Sequence, residues 1–284
     1  MFEQTLRIKK FDLNTMCDHP TIVINAKRGS GKSVCIKHLM YFYHTVKHYP
    51  IAIVCSNSEK VDPYYKNFCP DLFIYDDCVK AFSKILIRQK KIKSKNEKIK
   101  AGEETGEIED GRLLLVLDDV LANAKEWSKC TEMSEIIFNG RHYDITLIIA
   151  VQDIVALGPG VRNNIDYVFL FNNDIKVEVE KMWKYYAGIF DSCRTFQEVL
   201  NQVTEDYGIL VIIRRNAISN NLVDKIGRFK AKYDLPPFMF GSEKTIKYAK
   251  KHYDKNWLDR QNELQEKYNM VGKKLNHTIV KLEK

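Results

Sequence analysis

Residues 21–33 read TIVINAKRGSGKS, and this stretch sets the organisation of the chain. A short β-branched run leads into a turn of small residues, and an apolar segment, VCIKHLMYFYH, follows directly. A strand that feeds a glycine-rich turn at the start of a helix is the setting that a phosphate-binding loop requires, because backbone N–H groups must wrap the phosphates. The stretch therefore predicts a nucleotide site.

Several residues of this turn have a predicted task. Gly29 and Gly31 let the backbone approach the phosphates. Lys32 neutralises the β- and γ-phosphates, and Ser33 is a ligand of Mg²⁺. The usual motif begins with glycine, but Ala26 stands there, which requires a negative φ at this residue. The alternative is a chance glycine turn between a strand and a helix. The residues expected to contact the nucleotide are Lys27, Arg28, Gly29, Ser30, Gly31, Lys32 and Ser33.

Length and composition limit the class of protein. The chain has 284 residues, of which 45% are hydrophobic and 29% charged, so one large domain with an appendage is expected. A net charge of +8 suits a polyanionic partner only if the charge is clustered. Seven cysteines without a C-x-x-C pair predict reduced thiols in an intracellular protein. Neither a membrane span nor a signal peptide is expected from the apolar runs.

A second informative stretch is residues 112–123, RLLLVLDDVLAN, which matches a Walker B segment. Its apolar run predicts a buried strand whose carboxyl end delivers acids to the ligand-binding edge of the sheet. Asp118 is expected to hold Mg²⁺, and Asp119 to orient or deprotonate the attacking water. The alternative is a strand that ends in a solvated Asp-Asp turn. The second acid favours ATP hydrolysis over the transfer carried out by nucleotide kinases.

Three further side chains are candidates for catalysis. Gln152 follows the strand ITLIIAVQ, where an amide can sense the γ-phosphate or position water. Arg141 precedes that strand, so it lies at the end far from its own nucleotide and could reach that of a ring neighbour as an arginine finger. Arg162 is the second choice for this role. The alternatives are an ordinary loop glutamine for Gln152 and a plain surface arginine for Arg141.

Two charged or aromatic segments have two interpretations each. Residues 88–111 are first basic and then acidic, which predicts a solvated helix end followed by a mobile loop, or else a surface that follows a DNA backbone. Tyr64, Tyr65 and Phe68 could stack on bases, but burial against the domain is the stronger expectation. His44 and His48 have a spacing that can bind zinc, but the Glu of the metalloprotease motif is missing and no zinc is expected.

The rest of the chain predicts a domain over residues 1–237 and a tail. Residues 207–214 and 226–230 predict a β-hairpin that extends the sheet, and the breaker Leu235-Pro236-Pro237 ends the domain. Residues 238–284 are expected to form a charged helical tail. Its apolar residues recur every three or four positions, at Leu264, Tyr268, Val271, Leu275, Ile279 and Leu282.

The segments AKRGSGKS, LLLVLDDV, FNGRHYDITLIIAVQ and VRNNIDYVFLFN, in this order and at this spacing, resemble a known family. They look like the poxvirus-type genome-packaging ATPases of nucleocytoplasmic large DNA viruses, which belong to the FtsK–HerA superfamily. The resemblance covers about residues 10–230 of this sequence. It departs from the family pattern at Ala26, and at Asp119, where many motors of the superfamily carry glutamate.

This resemblance implies an α/β fold of the P-loop ASCE, RecA-like type, with a mainly parallel sheet in the order 5-1-4-3-2. It also implies ATP and Mg²⁺ as ligands and a homo-oligomeric ring, a pentamer or hexamer, that translocates double-stranded DNA into a preformed capsid. A capsid or inner-membrane viral protein is the expected docking partner, and the host cytoplasm at the viral factory, or the virion, the expected location. The alternatives are a HerA- or FtsK-like translocase or helicase on free DNA, and a nucleotide-dependent assembly scaffold.

Overall fold

The computed structural model describes residues 6–59, 61–76, 78–118, 130–215, 219, 221–256, 260, 263 and 266. These residues build one mixed sheet with helices packed on it. None of the described helices is long and apolar enough to cross a membrane. The strands are β1 (Thr21–Asn25), β2 (Ile51–Ser56), β3 (Ile74–Tyr75), β4 (Leu113–Asp118), β5 (Ile145–Val151), β6 (Tyr167–Leu170), β7 (Gly208–Ile213) and β8 (Ile226–Lys230).

The sheet has the strand order β3-β2-β4-β5-β1-β6-β7-β8. Strands β1 to β6 pair in parallel, whereas β7 pairs antiparallel with β6 and β8 antiparallel with β7. The segment β6-β1-β5-β4-β2 is the 5-1-4-3-2 order of the predicted fold, so the fold class is confirmed. The predicted hairpin is β7–β8, and it extends the sheet beyond β6. The two-residue strand β3, at the opposite edge, was not predicted from the sequence.

The central strands are apolar along most of their length because both faces of the sheet are covered. Every residue of β1, β2, β4 and β5 is buried. Parallel sheets between helical layers show continuous apolar runs of this kind rather than alternation. Burial of each Leu, Ile or Val side chain contributes roughly 1.5–3 kcal/mol to the stability of the fold. The buried strands therefore form a stable core that fixes the positions of the residues at their ends.

The helices lie on this sheet and at its edges. Helix α2 continues through the basic stretch to Lys100, so most of 88–111 is helix and only the exposed residues 101–110 form a loop. Gln89 and Ile92 are buried in it, and Gln89 Nε2 donates to the carbonyl oxygens of Gly111 (2.7 Å) and Tyr143 (2.5 Å). The helices are α1 (Lys32–Thr45), α2 (Cys78–Lys100), α3 (Thr131–Asn139), α4 (Pro159–Asn163), α5 (Lys176–Tyr186), α6 (Cys193–Thr204), α7 (Leu222–Lys225) and α8 (Glu243–His252).

The chain that follows the hairpin runs along α1. The backbone N–H of Lys232 donates to His38 Nδ1 at 3.0 Å, and that of Gly241 donates to His44 Nδ1 at 3.4 Å. The ring of His44 also stacks on Phe238, with 5.6 Å between the ring centroids. The described part of the expected tail, residues 238–256, therefore begins in contact with the domain. The apolar seam at 264–282 lies outside the described residues.

Candidate active site

The carboxyl ends of three adjacent strands bring the predicted site residues to one edge of the sheet. In the register, Asn25 of β1 lies beside Val151 of β5, and Asp118 of β4 lies beside Ala150. The phosphate-binding loop follows β1, Asp118 is the last residue of β4, and Gln152 follows β5. The motifs that the sequence separates by more than a hundred residues therefore share one edge.

The loop between β1 and α1 has the backbone conformation that the glycine motif requires. Gly29 has φ 77° and Gly31 has φ 95°, both in the left-handed region that side chains with Cβ rarely adopt. The described residues with positive φ do not include Ala26, so alanine fits the position where the motif has glycine. Ser30 Oγ donates to the carbonyl oxygen of Lys27 at 2.6 Å and closes the turn.

Helix α1 opens directly out of this turn and presents its N-terminus to the site. Gly31 is its N-cap, no side chain caps the helix, and its first turn contains no acidic residue. The first backbone N–H groups of a helix lack partners within the helix and favour anions. At the base of the loop, Lys27 forms an ion pair with the exposed Asp174. The start of α1 is therefore arranged for an anionic ligand.

A buried ion pair joins the two motifs. Lys32 Nζ lies 2.9 Å from Asp118 Oδ1, and the two side chains are only 9% and 6% exposed. Asp118 Oδ1 makes no aligned hydrogen bond to a described residue, so this contact is electrostatic. Asp118 Oδ2 accepts a hydrogen bond from the hydroxyl of Tyr65 at 2.7 Å. The lysine and the first acid thus face the same site, as the sequence predicted.

The aromatic loop after β2 supports this pair from one side. Tyr65 and Phe68 are buried, which agrees with the expectation that these rings pack against the domain. Burial, followed by the neighbouring Asp118, raises the pKa of Tyr65 well above its usual range, so its hydroxyl stays protonated and donates. The hydroxyl of Tyr64 donates to the carbonyl oxygen of Ser33 at 3.2 Å. The sequence did not predict the contact of Tyr65 with Asp118, because no local pattern joins residues 53 positions apart.

The end of β5 is tied to the base of the phosphate loop. Asn25 Nδ2 donates to the carbonyl oxygens of Val151 (3.3 Å) and Gln152 (3.0 Å). This buried amide holds the backbone of Gln152 in place at the end of β5. Gln152 itself is exposed at the edge of the site. Asp119, the predicted acid that activates water, lies outside the described residues.

Arg141 lies at the other end of the parallel strands, where β1 begins. Its Nη2 atom contacts both carboxylate oxygens of Asp166, at 3.1 Å and 3.2 Å. Asp166 is 4% exposed and also accepts from the backbone N–H of Thr21 at 2.9 Å, where β1 begins. A five-residue strand spans about 17 Å, so Arg141 is far from Lys32 of its own chain, as the sequence predicted. Within the chain, this arginine neutralises a buried carboxylate.

Arg162, the second candidate finger, lies on α4. Its guanidinium donates to the carbonyl oxygen of Leu157 at 2.5 Å and lies over the ring of Tyr185, 4.6 Å from the centroid. Its backbone carbonyl oxygen accepts a hydrogen bond from Arg214 at 2.6 Å. Both candidate fingers therefore have contacts within their own chain.

The donor set around Asp118 suits a cation that keeps much of its water. No group of three or more His, Cys, Asp or Glu side chains forms a metal site in the part of the chain that the structure describes. Mg²⁺ is usually held by one or two protein oxygens together with phosphates and water, and does not need such a cage. The carboxylate oxygen Oδ1 of Asp118, buried and without an aligned hydrogen bond, is a suitable ligand.

Comparison with known families and curated proteins gives consistent matches. The family model described as poxvirus A32 protein matches residues 8–222 of this chain, which is more than half of it. A curated relative, the uncharacterized protein L437 of Acanthamoeba polyphaga mimivirus, is 37% identical over 278 residues. That match covers 97% of this chain and 95% of the relative.

Solved structures share the fold at low sequence identity. The genome packaging NTPase B204 of Sulfolobus turreted icosahedral virus 2, in complex with AMPPCP, has a TM-score of 0.51 at 18% identity, covering 76% of this chain and 100% of that one. The pCW3 conjugation coupling protein TcpA, with ATPγS, has a TM-score of 0.52 at 15% identity, covering 82% of this chain and 64% of that one. These likenesses show the fold of a P-loop ATPase.

Proposed function

This chain belongs to the poxvirus A32 protein family, and from that premise we propose that it is an ATPase that drives double-stranded viral DNA into a preformed capsid. Membership of this family supports the packaging role. The fold supports it too, because B204, which shares it, is described as a genome packaging NTPase and was solved with an ATP analogue. ATP is accordingly the nucleotide that we assign to the site.

The single observation that carries the proposal is the ion pair between Lys32 Nζ and Asp118 Oδ1 at 2.9 Å. A phosphate-binding lysine and a carboxylate at the end of another strand of the same sheet are the two groups between which P-loop enzymes bind Mg²⁺ and a triphosphate. In this sheet β5 lies between the two strands concerned, β1 and β4. Here the two side chains are almost closed to water, at the N-terminus of a helix that no side chain caps. A chance glycine turn would not place a buried carboxylate against its lysine.

Ser33 and Asp118 are the residues that would hold Mg²⁺. When bound, the ion would neutralise charge on the β- and γ-phosphates. Lys32 would turn from Asp118 to the phosphates, and the loop amides from Lys27 to Ser33 would surround them. Tyr65 would keep the carboxylate of Asp118 in place by its hydrogen bond.

Asp119 is proposed as the general base that takes a proton from the attacking water, and Gln152 as the amide that orients this water or senses the γ-phosphate. The contact of Asn25 with the backbone of Gln152 supports the second assignment, because it couples the phosphate loop to the end of β5. In a homo-oligomeric ring, Arg141, or Arg162 as the second choice, would complete the site of a neighbouring subunit.

The proposal can be tested by measuring ATP turnover with and without double-stranded DNA. We expect hydrolysis that requires Mg²⁺ and increases when DNA is added, together with assembly into a ring of five or six subunits. An assembly scaffold would bind nucleotide without DNA-dependent turnover. A helicase would separate the strands of a forked duplex, whereas a packaging motor would move along the duplex and leave it paired.

The remaining assignments concern the setting of the motor. A capsid protein or an inner-membrane viral protein would dock the ring on the shell. The host cytoplasm, at the viral factory, or the virion is the proposed location. DNA contacts are expected to be to phosphates, so no sequence preference is expected. Recovery of the protein with assembling capsids in infected cells would test both the docking partner and the location.

A further inference from the structure

A cavity opens beside the phosphate loop, between the loop and the hairpin strands β7 and β8. Its volume is about 1020 Å³, at the upper end of the range for small-molecule sites. Gly29 and Gly31 of the loop and Val34 of α1 form one wall, and the ends of the hairpin strands β7 and β8 form the other. The register explains this position: β7 starts and β8 ends at the sheet edge that carries the phosphate loop, since Gly208 pairs with Lys230 there.

The walls of the cavity are apolar and aromatic, and its rim is basic. The basic residues are Lys10, Arg228, Lys230 and Lys232, and no acidic side chain lines the cavity in the described part of the chain. Tyr207 and Tyr233 also line it, and they are 81% and 83% exposed. Exposed aromatic rings over an apolar floor are the usual means of binding a flat base, because every base offers a face for stacking.

Tyr207 is held in its exposed position against the preference of its backbone. Tyr207 has φ 58° and Asp206 before it has φ 52°, so two consecutive residues with side chains adopt the left-handed conformation. This conformation costs free energy for residues other than glycine, and it persists only where the surroundings impose it. Because the ring of Tyr207 is exposed, packing of this side chain contributes little free energy to offset the cost. The strain therefore points to a role in binding.

The surroundings that impose this conformation belong to the hairpin. Arg228 donates from Nε to the carbonyl oxygen of Val203 (3.1 Å) and from Nη2 to that of Glu205 (2.9 Å). Lys230 Nζ contacts Asp206 Oδ2 at 2.5 Å. After Tyr207 the chain passes so close to α6 that a Cβ atom on Gly208 would lie 2.0 Å from the carbonyl oxygen of Val203. The turn is thus fixed from the strand and from the helix.

We propose that this cavity holds the nucleoside of bound ATP and that Tyr207 stacks on its base. The inference rests on the proposed function, since the loop glycines that would contact the triphosphate are also a wall of the cavity. Tyr233 is the second aromatic wall. Its segment is held to α1 by the hydrogen bond from the backbone N–H of Lys232 to His38 Nδ1 (3.0 Å) and by the stacking of Phe229 on His38.

The cavity and the phosphate loop can be separated with two probes, ATP and inorganic tripolyphosphate, which has no base. We expect Tyr207→Ala to weaken ATP binding roughly tenfold in calorimetry, as for loss of one stacked base, and to leave tripolyphosphate binding within about twofold. Tyr207→Phe, which keeps the ring, should bind both probes like the parent chain. Tyr248→Ala, which removes an exposed tyrosine on α8 outside the cavity, is the matched control.

A third variant distinguishes binding from a structural role. Asparagine adopts the left-handed conformation more readily than tyrosine, so Tyr207→Asn should keep or raise the melting temperature while ATP binding weakens as in Tyr207→Ala. A lower melting temperature with unchanged ATP binding would overturn the proposal. Equal weakening of both probes by Tyr207→Ala would do the same, because it would place the defect in the phosphate loop.

Two further outcomes separate this inference from the proposed function. If the parent chain hydrolyses ATP and Tyr207→Ala binds ATP normally, the nucleoside assignment is wrong and the ATPase assignment stands. If Tyr207→Ala loses affinity for duplex DNA but not for ATP, the cavity serves nucleic acid and the assignment is also wrong. Failure of the ATPase proposal would instead be visible in the parent chain, as absence of Mg²⁺-dependent turnover.

Discussion

Lys32 shows how much of the site depends on single residues. Its side chain is 9% exposed and its ammonium group lies against one carboxylate, so its position is fixed before any nucleotide binds. Groups that are preorganised in a site closed to water act more strongly than the same groups in solution. The predictions for single residues therefore concern side chains whose partners the structure identifies.

Replacing Lys32 by alanine should abolish ATP hydrolysis. The change removes the positive charge expected on the β- and γ-phosphates and leaves Asp118 buried without its counter-ion, so we expect a fall in kcat of at least about 100-fold. Steady-state turnover measured beside Lys247→Ala, an exposed lysine on α8, tests this. Unchanged turnover in Lys32→Ala would refute the assignment of this site.

Tyr65→Phe removes only the hydroxyl that donates to Asp118 Oδ2. A hydrogen bond to a buried charged group is worth about 1.5–3 kcal/mol, so the variant should unfold at lower denaturant concentration. The carboxylate would also be held less firmly, and we expect a higher Mg²⁺ concentration for half-maximal turnover. Tyr143→Phe, whose hydroxyl contacts Glu135 away from the site, is the control. Equal Mg²⁺ dependence in both variants would exclude the positioning role.

Among the elements, α1 is connected both to the phosphate loop and to the segment that follows the hairpin. Its first turn carries the phosphate loop, and its length is covered by the chain from Lys232 to Gly241 through His38 and His44. The β7–β8 hairpin that leads into this chain also builds the cavity beside the loop. The hairpin and the nucleotide site are thus connected through one helix.

The contact of His38 predicts how stability changes with pH. Burial, and then the nearby Lys232, lowers the pKa of His38 from 6.5 to about 4. Between these values the unfolded chain binds a proton that the folded chain does not, so the free energy of unfolding should fall as the pH drops from about 6.5 to about 4. Burial also lowers the pKa of His19 and His44, in the same direction.

The comparison that isolates His38 is urea unfolding of the parent chain and of His38→Gln at pH 7 and pH 5. The variant should lose less stability between these two values, since glutamine does not titrate. An identical loss in both proteins would show that His38 does not contribute. The other histidines are present in both chains and cancel in the difference.

At the scale of elements, the features that could be predicted from the sequence are those that depend on residues close together in the chain. The central strands follow from their continuous apolar runs, and the phosphate loop from its spacing, because both depend on neighbours in the chain. For residues 88–111 the sequence predicted a solvated helix end followed by a loop. Helix α2 continues to Lys100, and its residue Gln89 is buried and donates to the carbonyl oxygen of Gly111 before β4, a contact that the charged composition did not indicate. Contacts between distant segments, such as Tyr65 with Asp118, leave no such pattern and could not be read from one sequence.

On the scale of the whole molecule, the two ends of the parallel strands carry different charged groups. One carries the nucleotide groups, and the other carries Asp166, which receives Arg141 and the N–H of Thr21 and has Arg215 at 3.8 Å. A finger for a neighbouring subunit would have to leave this carboxylate or reach past it. The trans role of Arg141 therefore stays a prediction that needs a control for stability.

Arg141→Ala should abolish turnover and preserve ATP binding. It should also lower the free energy of unfolding by about 1–3 kcal/mol, because a buried carboxylate loses a half-exposed hydrogen-bond partner. Mixing it with Asp119→Asn subunits should restore part of the turnover at interfaces where each supplies the intact group. Turnover assays of mixed rings measure this. Normal turnover of Arg141→Ala alone would move the assignment to Arg162.

The ion pair between Lys32 and Asp118 has a consequence for how the nucleotide and its ion arrive. Each charge already has an opposite charge at 2.9 Å, so triphosphate alone would take the lysine and strand the carboxylate in a site that excludes water. The ion alone would likewise separate the lysine from its carboxylate. Only when both enter together does every charge exchange one partner for another, so each should tighten the binding of the other by the same factor.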